Sequence, residues 1–261
     1  MFHRFADKFG QIASFFRHTN TPLALTRDVL RLKRAGFVAE MKDGLRLRIK
    51  SHSGESFTLF ENLIRRDYLT QIALKPGDTV VDIGANIGSF AILAASIVGP
   101  NGRVYAFEPM PETFERLREN VALNALENVE CCRAAVDSES GTINLRVAKK
   151  SAFASAHDLN ADKMTDDSVS APCLTLERVF ENYRIDRIHM LKVDCEGSEY
   201  GIFETLSPEL AARIDQIAME IHPINGKSVE VLKQNLQDLG FEVRPGQIWI
   251  AINRAARGNV T

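Results

Sequence analysis

The sequence predicts an α/β fold built on one mostly parallel, doubly wound sheet, and two observations predict it. From residue 79 onward, short apolar runs alternate with segments of helical spacing. The last two runs, 241–244 and 248–252, are joined by a short turn at Pro245-Gly246 and must therefore be antiparallel. We expect a seven-stranded sheet that ends in a C-terminal antiparallel hairpin.

The individual elements follow from apolar runs and from Gly and Pro punctuation. Strands of the main sheet are predicted at 79–83, 103–107, 129–134, 189–193, 216–221, 241–244 and 248–252, with a further short strand at 142–147. Helices are predicted at 88–97, 112–124, 176–183, 198–206 and 229–239. The stretch 149–170 is polar and weakly patterned, so we expect a mobile loop there.

Residues 1–60 are predicted to form an N-terminal extension, and residues 61–261 the main domain. The extension is predicted to be helical to about residue 35 and then to form short strands over 36–59, with a turn at Asp43-Gly44. Apolar residues repeat every three or four positions at Phe2, Phe5, Phe9, Ile12 and Phe16. This spacing predicts an amphipathic helix that either caps the domain or contacts a membrane surface or a partner.

Composition bounds the function. The formal net charge of −2 provides no global basic field, so we expect no nucleic-acid partner. The four cysteines form no CxxC pair, so the sequence predicts neither a zinc site nor a disulfide framework. Free cysteines are typical of a reducing compartment. No apolar run reaches the roughly 18 residues of a spanning helix, and residues 1–16 lack the features of a signal peptide. We therefore expect a cytoplasmic protein; the sequence does not determine its oligomeric state.

The segment from Asp82 to Gly88 predicts a cofactor-binding turn between the first strand and the following helix. Gly84 permits a tight turn, and Gly88 lets the helix approach the sheet. The spacing GxxxG matches neither the nucleotide loop GxxxxGK(S/T) nor the dinucleotide fingerprint GxGxxG. An acidic Asp82 at the strand end would repel a pyrophosphate, but it suits the ammonium and sulfonium end of S-adenosyl-L-methionine. Ala85 and Asn86 complete this predicted loop.

Glu108 closes the second strand, where a carboxylate can accept hydrogen bonds from both hydroxyls of a ribose. Pro109 follows it and is included in the predicted cofactor site. Adenine contacts are expected near the exit of the third strand. Asp137 there could accept from the adenine amino group, or it could be a turn residue.

A second group of polar residues ends the fourth and fifth predicted strands. Asp194, Glu196 and His222 are the candidate catalytic residues, with Glu220 beside them, because side chains two apart share a strand face. A hydroxyl acceptor needs a base, and His222, Asp194 or Glu196 could supply it. Alternatively, the same three residues could hold a divalent cation.

Two neighbours of this group are interpreted differently. Cys195 is not expected to be a nucleophile, since no basic partner stands beside it in the sequence. Glu199 is interpreted as a charge at a helix start that the helix dipole favours.

Five segments together resemble the FkbM-type methyltransferases: VDIGANIGSF, YAFEP, LTLERV, LKVDCEGSEY and MEIHP. The resemblance covers about residues 80–223, and the last two segments are its specific part. It implies a Rossmann-like class I fold, S-adenosyl-L-methionine as cofactor, and O-methylation, often of sugar or polyketide-type hydroxyls.

The chain departs from the family pattern at two positions. Glu177 stands where the family usually has aspartate, and Cys195 where it often has valine. The extension and the 149–170 stretch are where the family differs most, so the acceptor is not inherited from the resemblance. The sequence thus predicts an O-methyltransferase of a small molecule or glycan. The alternatives are a nicotinamide-dependent oxidoreductase, a methyltransferase of RNA or protein, and a binding module without activity.

Overall fold

A computed structural model of the chain describes residues 2–32, 35–148, 154–155 and 164–256. The helices are α1 Phe2–His18, α2 Pro22–Val29, α3 Glu55–Leu59, α4 Ser89–Val98, α5 Pro111–Leu123, α6 Leu176–Asn182, α7 Glu199–Thr205, α8 Pro208–Ala211 and α9 Val229–Asp238. The strands are β1 Phe37–Glu40, β2 Arg46–Ile49, β3 Thr79–Ile83, β4 Arg103–Phe107, β5 Val129–Cys132, β6 Ala135–Val136, β7 Gly141–Ala148, β8 Ala154–Ser155, β9 Met164–Leu174, β10 Met190–Val193, β11 Gln216–Met219, β12 Phe241–Arg244 and β13 Trp249–Asn253.

The main sheet has seven strands in the order β12-β13-β11-β10-β3-β4-β5. Strands β11, β10, β3, β4 and β5 are parallel to their neighbours in this run, whereas β13 pairs antiparallel with both β11 and β12. The predicted mostly parallel sheet with a C-terminal antiparallel hairpin is confirmed. After β5 the chain crosses to the other side of β3, and ligands bind at such a switch point in open α/β sheets.

Pairing across this switch point sets the geometry of the site. Val193 of β10 is in register with Ile83 of β3, and Lys192 is in register with Asp82. The residues that follow the two strands, Gly84 and Asp194, therefore leave the sheet side by side. Two segments separated by about 110 residues of sequence are thus joined at one carboxyl edge.

A smaller four-stranded sheet, β6-β9-β7-β8, corrects the prediction of a loop over 149–170. Residues 164–170 belong to β9, which pairs antiparallel with β7. Residues 149–153 and 156–163 of the predicted loop lie outside the described residues. Towards the end of β9 the buried positions alternate at Ala171 and Cys173, and these small side chains, next to polar neighbours, produce only a weak apolar pattern.

The N-terminal segment contains the predicted hairpin of β1 and β2, which pair antiparallel. The expected strands over 50–59 are wrong, because Glu55–Leu59 is helical and continues into a π-helical turn at Phe60–Arg65. The Glu55 carboxylate accepts from the backbone N–H of Lys50 at 2.7 Å and forms an ion pair with Arg116. These contacts hold the polar start of the helix against α5.

Apolar side chains cover both faces of the main sheet, because neighbouring strand residues such as Val80 and Val81 point to opposite faces. One face packs with buried residues of the N-terminal segment, including Phe15, Leu25 and Leu59. Residues 1–60 thus share a core with the main sheet; a domain boundary at residue 60 stays a prediction. Among the described residues, no helix has both the length and the apolar character needed to cross a membrane.

Candidate active site

A cleft opens at the carboxyl edge of β3, β4 and β10. Six of the residues that line it belong to the predicted site: Gly84, Asn86, Glu108, Pro109, Asp194 and Glu196. The strand order explains this meeting, since β3 lies between β4 and β10. The structure therefore brings the predicted cofactor loop and the predicted catalytic strand end into one cavity.

The turn after β3 requires glycine at two points. A Cβ on Gly84, whose φ is +76°, would lie 1.8 Å from the carbonyl oxygen of Asp194. A Cβ on Gly88, with φ +88°, would lie 2.6 Å from Cδ1 of Leu117 in α5. The backbone N–H groups of Gly84 and Ala85 both donate to the carbonyl of Phe107, at 3.0 and 2.9 Å. The close approach of neighbouring chain segments therefore fixes this loop.

Glu108 is positioned by backbone donors. Its Oε2 accepts from the N–H of Asn86 at 3.1 Å and its Oε1 from the N–H of Met110 at 2.9 Å. Burial raises the pKa of Glu108 to about 7, although these two hydrogen bonds oppose the rise. Oδ1 of Asn86 is buried without a hydrogen-bond partner among the described residues. The carboxylate and this orphaned oxygen, both on residues of the cleft wall, suit the hydroxyl groups of a ribose.

Asp82 is placed differently from the expectation. Its side chain is fully buried, it does not line the cleft, and its Oδ1 lies 3.0 Å from Nζ of Lys192. Burial raises the pKa of Asp82, and the Lys192 ammonium only partly offsets this. An ion pair inside the protein is thus the partner that the structure provides for this carboxyl group.

Lys192 is a site residue that the sequence reasoning missed. Its ammonium donates to the carbonyl of Gly84 at 2.7 Å and lies 3.7 Å from Oδ2 of Asp194. It therefore connects the predicted cofactor loop with the predicted catalytic strand end. A single lysine in the apolar run of a central strand is the signal that could have found it, because a buried lysine needs a partner.

Asp137 lies next to the cleft wall formed by Ala135 and Val136, but it is not part of the wall. Its Oδ2 accepts from the hydroxyl of Ser198 at 2.6 Å, and its Oδ1 from the N–H of Ser138 at 2.6 Å. A Cβ on Gly201 would lie 2.5 Å from Oδ1. These contacts hold α7 against the end of β6, and a contact between Asp137 and adenine stays a prediction.

His222 does not itself line the cleft, but it is the centre of a group of side chains beside Asp194 and Glu196 of the cleft wall, which we call the His222 half. Its Nδ1 lies 2.8 Å from Oε1 of Glu199, and its Nε2 lies 3.6 Å from Oε2 of Glu196 and 3.9 Å from Oδ1 of Asp194. Glu199 is completely buried and also accepts from the N–H of Cys195 at 3.2 Å. Glu199 begins α7 as expected, but the interpretation as a helix-start charge alone was wrong, since it orients the imidazole.

The protonation of this half follows from burial and from the acidic neighbours. Burial disfavours the charged imidazole, but the hydrogen bond and charge of Glu199, with the charges of Glu196 and Asp194, raise the pKa of His222 to about 9. Burial raises the pKa of Glu196 to about 7, against the attraction of His222. At neutral pH His222 is therefore a cation, whereas Glu196 is partly ionised and can accept a proton.

The backbone at Glu196 is also unusual. Its φ of +55° lies in the left-handed region, where a residue other than glycine has a strained backbone. Gly197 follows with φ +117°. The turn that connects β10 to α7 places the Glu196 carboxyl group at the cleft wall.

Tyr68 and Glu61 reach this half from the segment that precedes the main sheet, and the sequence reasoning missed both. The Tyr68 hydroxyl donates to Oδ2 of Asp194 at 2.9 Å, and its ring packs edge-on against Phe90 at 5.6 Å. Burial raises the pKa of Glu61 to about 7, and Asp194 and Glu220 are among the charges that add to the rise. The His222 half thus includes an acidic residue, Glu61, that none of the sequence motifs contains.

For a divalent cation, the structure groups different residues from those expected. Ligand atoms of Asp194, Glu220 and His222 all lie within 4.8 Å of one another among the described side chains. Glu220 takes the place that Glu196 had in the predicted set. The cation alternative therefore involves the same half of the cleft but a different third ligand.

Comparisons with known proteins agree with the motifs. Residues 82–243, more than half of the chain, match the model of the methyltransferase FkbM domain. The chain is 29% identical over 222 residues to the 31-O-demethyl-FK506 methyltransferase FkbM of Streptomyces tacrolimicus. This alignment covers 74% of this chain and 84% of that protein. It is 27% identical over 207 residues to the hexuronic acid methyltransferase AglP of Haloferax volcanii, with 77% and 82% covered.

A crystal structure of a methyltransferase FkbM from Methylobacillus flagellatus aligns with a TM-score of 0.47 at 14% identity, covering 70% of this chain and 45% of that one. The family assignment depends on the family match over residues 82–243 and not on this distant alignment. The same match sets aside the nicotinamide-dependent alternative, and the family and fold imply S-adenosyl-L-methionine as the methyl donor. The chain belongs to the FkbM methyltransferase family.

Proposed function

We propose that the chain transfers a methyl group from S-adenosyl-L-methionine to a hydroxyl oxygen of a small molecule or glycan. The observation that carries the proposal is the position of Asp194 and Glu196 at the wall of the cleft that also contains Glu108, with Nε2 of His222 within 3.9 Å of both carboxylates. The names of two relatives support the acceptor class, since one is a methyltransferase of 31-O-demethyl-FK506 and the other of a hexuronic acid.

The residues around Glu108, which we call the Glu108 half, suit the ribose of the proposed donor. Each oxygen of Glu108 accepts one backbone N–H and has a further lone pair for a ribose hydroxyl. Asn86 provides the unpartnered oxygen beside it, and Pro109 forms the adjoining wall. When bound, S-adenosyl-L-methionine supplies a methyl group that is already activated by the positive sulfur. The protein must then align the acceptor oxygen with that methyl group.

We assign the base to Glu196. A hydroxyl group is a weak nucleophile, so loss of its proton to a carboxylate as the O–CH₃ bond forms and the C–S bond breaks lowers the barrier. With a pKa of about 7, Glu196 has an ionised form available near neutral pH. His222, with a pKa of about 9, stabilises that carboxylate as a cation, while Tyr68 and Lys192 hold Asp194.

The test has two stages. Calorimetry should detect binding of S-adenosylhomocysteine, and a panel of hydroxylated small molecules, uronic acids, oligosaccharides, RNA and peptides should then be incubated with labelled donor. We expect transfer to a hydroxylated small molecule or sugar, with the new methyl carbon bonded to oxygen in the NMR spectrum. No binding of S-adenosylhomocysteine would overturn the donor. Transfer only to RNA or peptide, or a methyl group on nitrogen, would overturn the acceptor class.

The cation alternative is decided in the same assay. If Glu196 is the base, excess EDTA leaves the rate unchanged. A rate that falls with EDTA and recovers with added Mg²⁺ or Mn²⁺ would instead favour activation of the hydroxyl by a cation at Asp194, Glu220 and His222.

A further inference from the structure

Large exposed apolar side chains are concentrated on the first two helices. Among the described residues, seven large hydrophobic side chains are exposed, and five of them lie between residues 9 and 32. These five are Phe9, Phe16, Leu23, Leu30 and Leu32, with exposed fractions from 48% to 72%. We call the exposed side of residues 8–32 the N-terminal face. So many exposed apolar side chains in one short segment are typical of a binding surface.

The helical geometry places these side chains in two rows. Gln11 and Phe15 of α1, and Thr19 directly after it, are buried at intervals of four and point into the protein. Phe9 and Phe16 are seven residues apart, close to two helical turns, so they share the outer side. Leu23 of α2 and Leu30, the residue directly after α2, are likewise seven apart and exposed. Each of the two helices thus buries one side and presents an apolar row to the solvent.

The charges on the N-terminal face are all positive. Its exposed charged residues are Lys8, Arg17, Arg27 and Arg31. The aspartate within this stretch, Asp28, is buried and accepts hydrogen bonds from Ser56 Oγ and His52 N. Residues 1–35 contain seven lysines and arginines against two aspartates, whereas the whole chain has a net charge of −2. The basic charge is therefore concentrated next to the apolar rows.

We infer that the N-terminal face binds the surface of a bilayer that contains anionic lipids. Leucine and phenylalanine side chains next to lysine and arginine match the two layers of such a surface, acyl chains below and phosphates above. RNA would require aromatic side chains within a basic groove, and three of the five apolar residues here are leucines. A symmetric contact between two copies of the chain would bring the basic residues of both N-terminal faces together, and like charges disfavour such a contact.

The experiment is co-sedimentation of the full chain with vesicles. We expect binding to vesicles of equal parts phosphatidylglycerol and phosphatidylcholine, and little binding to phosphatidylcholine alone. Phe9→Ser with Phe16→Ser should weaken binding by at least about tenfold, because the inserted apolar area is lost. Arg17→Glu with Arg27→Glu should weaken it by at least about tenfold as well, because the attraction to the anionic lipids is removed and reversed.

Matched controls lie on other helices. Val231 is 55% exposed in α9, so Val231→Ser removes an exposed apolar side chain outside the N-terminal face. Arg118→Glu with Arg178→Glu reverses two exposed charges on α5 and α6. Both controls should bind vesicles like the unchanged chain, and unchanged melting temperatures would show that every variant is folded.

Three outcomes would overturn the inference. The first is no sedimentation with anionic vesicles, and the second is equal weakening by the control variants. The third is binding of an RNA oligonucleotide, or formation of a dimer, that the Phe9 and Phe16 variant abolishes while vesicle binding stays absent. Because this assay contains no methyl donor or acceptor, its result is independent of the proposed methyl transfer.

Discussion

The two halves of the cleft are built by different kinds of contact. In the Glu108 half, backbone groups hold the geometry: the N–H groups of Asn86 and Met110 bind the carboxylate, and those of Gly84 and Ala85 bind Phe107. In the His222 half, side chains hold one another, and they come from the segment before the sheet, from β3, from β10 and the turn after it, from α7 and from the stretch after β11.

This difference implies a division of labour. Backbone donors change little with protonation, so the Glu108 half keeps its shape with one titrating group. The His222 half contains several carboxyl groups around one imidazole, and the charge of each affects the others. We therefore expect substitutions in the Glu108 half to change cofactor affinity, and substitutions in the His222 half to change turnover.

The largest effect is expected for Glu196→Gln. The amide cannot accept the proton of the acceptor hydroxyl, so kcat should fall by about 10² to 10⁴ while the affinity for S-adenosylhomocysteine stays unchanged. Turnover with the acceptor found in the panel, and calorimetry with S-adenosylhomocysteine, measure the two quantities.

Two further measurements sharpen this result. Glu127 is exposed outside the cleft, so Glu127→Gln should leave both quantities unchanged. The unchanged enzyme should gain activity as the pH rises through about 7, because Glu196 becomes ionised, and lose it above about 9, because His222 loses its proton. The methyl donor must be saturating, because Glu108 also titrates near pH 7 and affects donor affinity. Under that condition, a Glu196→Gln enzyme that retains the rise near pH 7 would show that another group is the base.

The next effect concerns the contact between the two halves. Gly84→Ala places a Cβ against the carbonyl oxygen of Asp194 at a positive φ, so the β3 and β10 ends must separate. The free energy of unfolding should fall by at least about 3 kcal/mol, as measured by urea denaturation.

The control for this substitution is Gly44→Ala. Gly44 has φ +93°, but a Cβ added there would have nothing within 4 Å, so only the backbone cost of about 1 kcal/mol is expected. If the two substitutions cost the same, the close approach between the halves does not contribute to stability.

The two halves also differed in how well the sequence predicted them. Gly84 and Glu108 could be predicted because each directly follows a strand, and Gly88 because it directly precedes the helix after the first strand. Lys192 and Glu199 were missed or underrated because their roles depend on which side chains face them across the sheet. Tyr68 lies 126 residues from Asp194, and no local pattern predicts a hydrogen bond of that separation.

The same reason explains the errors in secondary structure. The helix at Glu55–Leu59 begins after Gly54 at φ +94° and is held by contacts of Glu55 with Lys50 and Arg116, so tertiary contacts decide it. Strand β9 is paired along its length with β7, and its polar residues gave little periodicity to detect. Within residues 168–174 the buried side chains are the small ones of Ala171 and Cys173, so backbone pairing defines this part of the strand more than burial does.

The smallest of the three effects tests the Glu108 half itself. Glu108→Gln replaces an acceptor carboxylate by an amide, so the affinity for S-adenosylhomocysteine should fall by roughly tenfold to a hundredfold. In the unchanged chain only the ionised carboxylate accepts from both ribose hydroxyls. Because burial raises the pKa of Glu108 to about 7, affinity should increase as the pH rises through that value and level off above it. Calorimetry across this range should give a flat profile for Glu108→Gln, since the amide does not titrate. A profile equally steep in both proteins would assign the titration to the His222 half and end the proposed division between cofactor affinity and turnover.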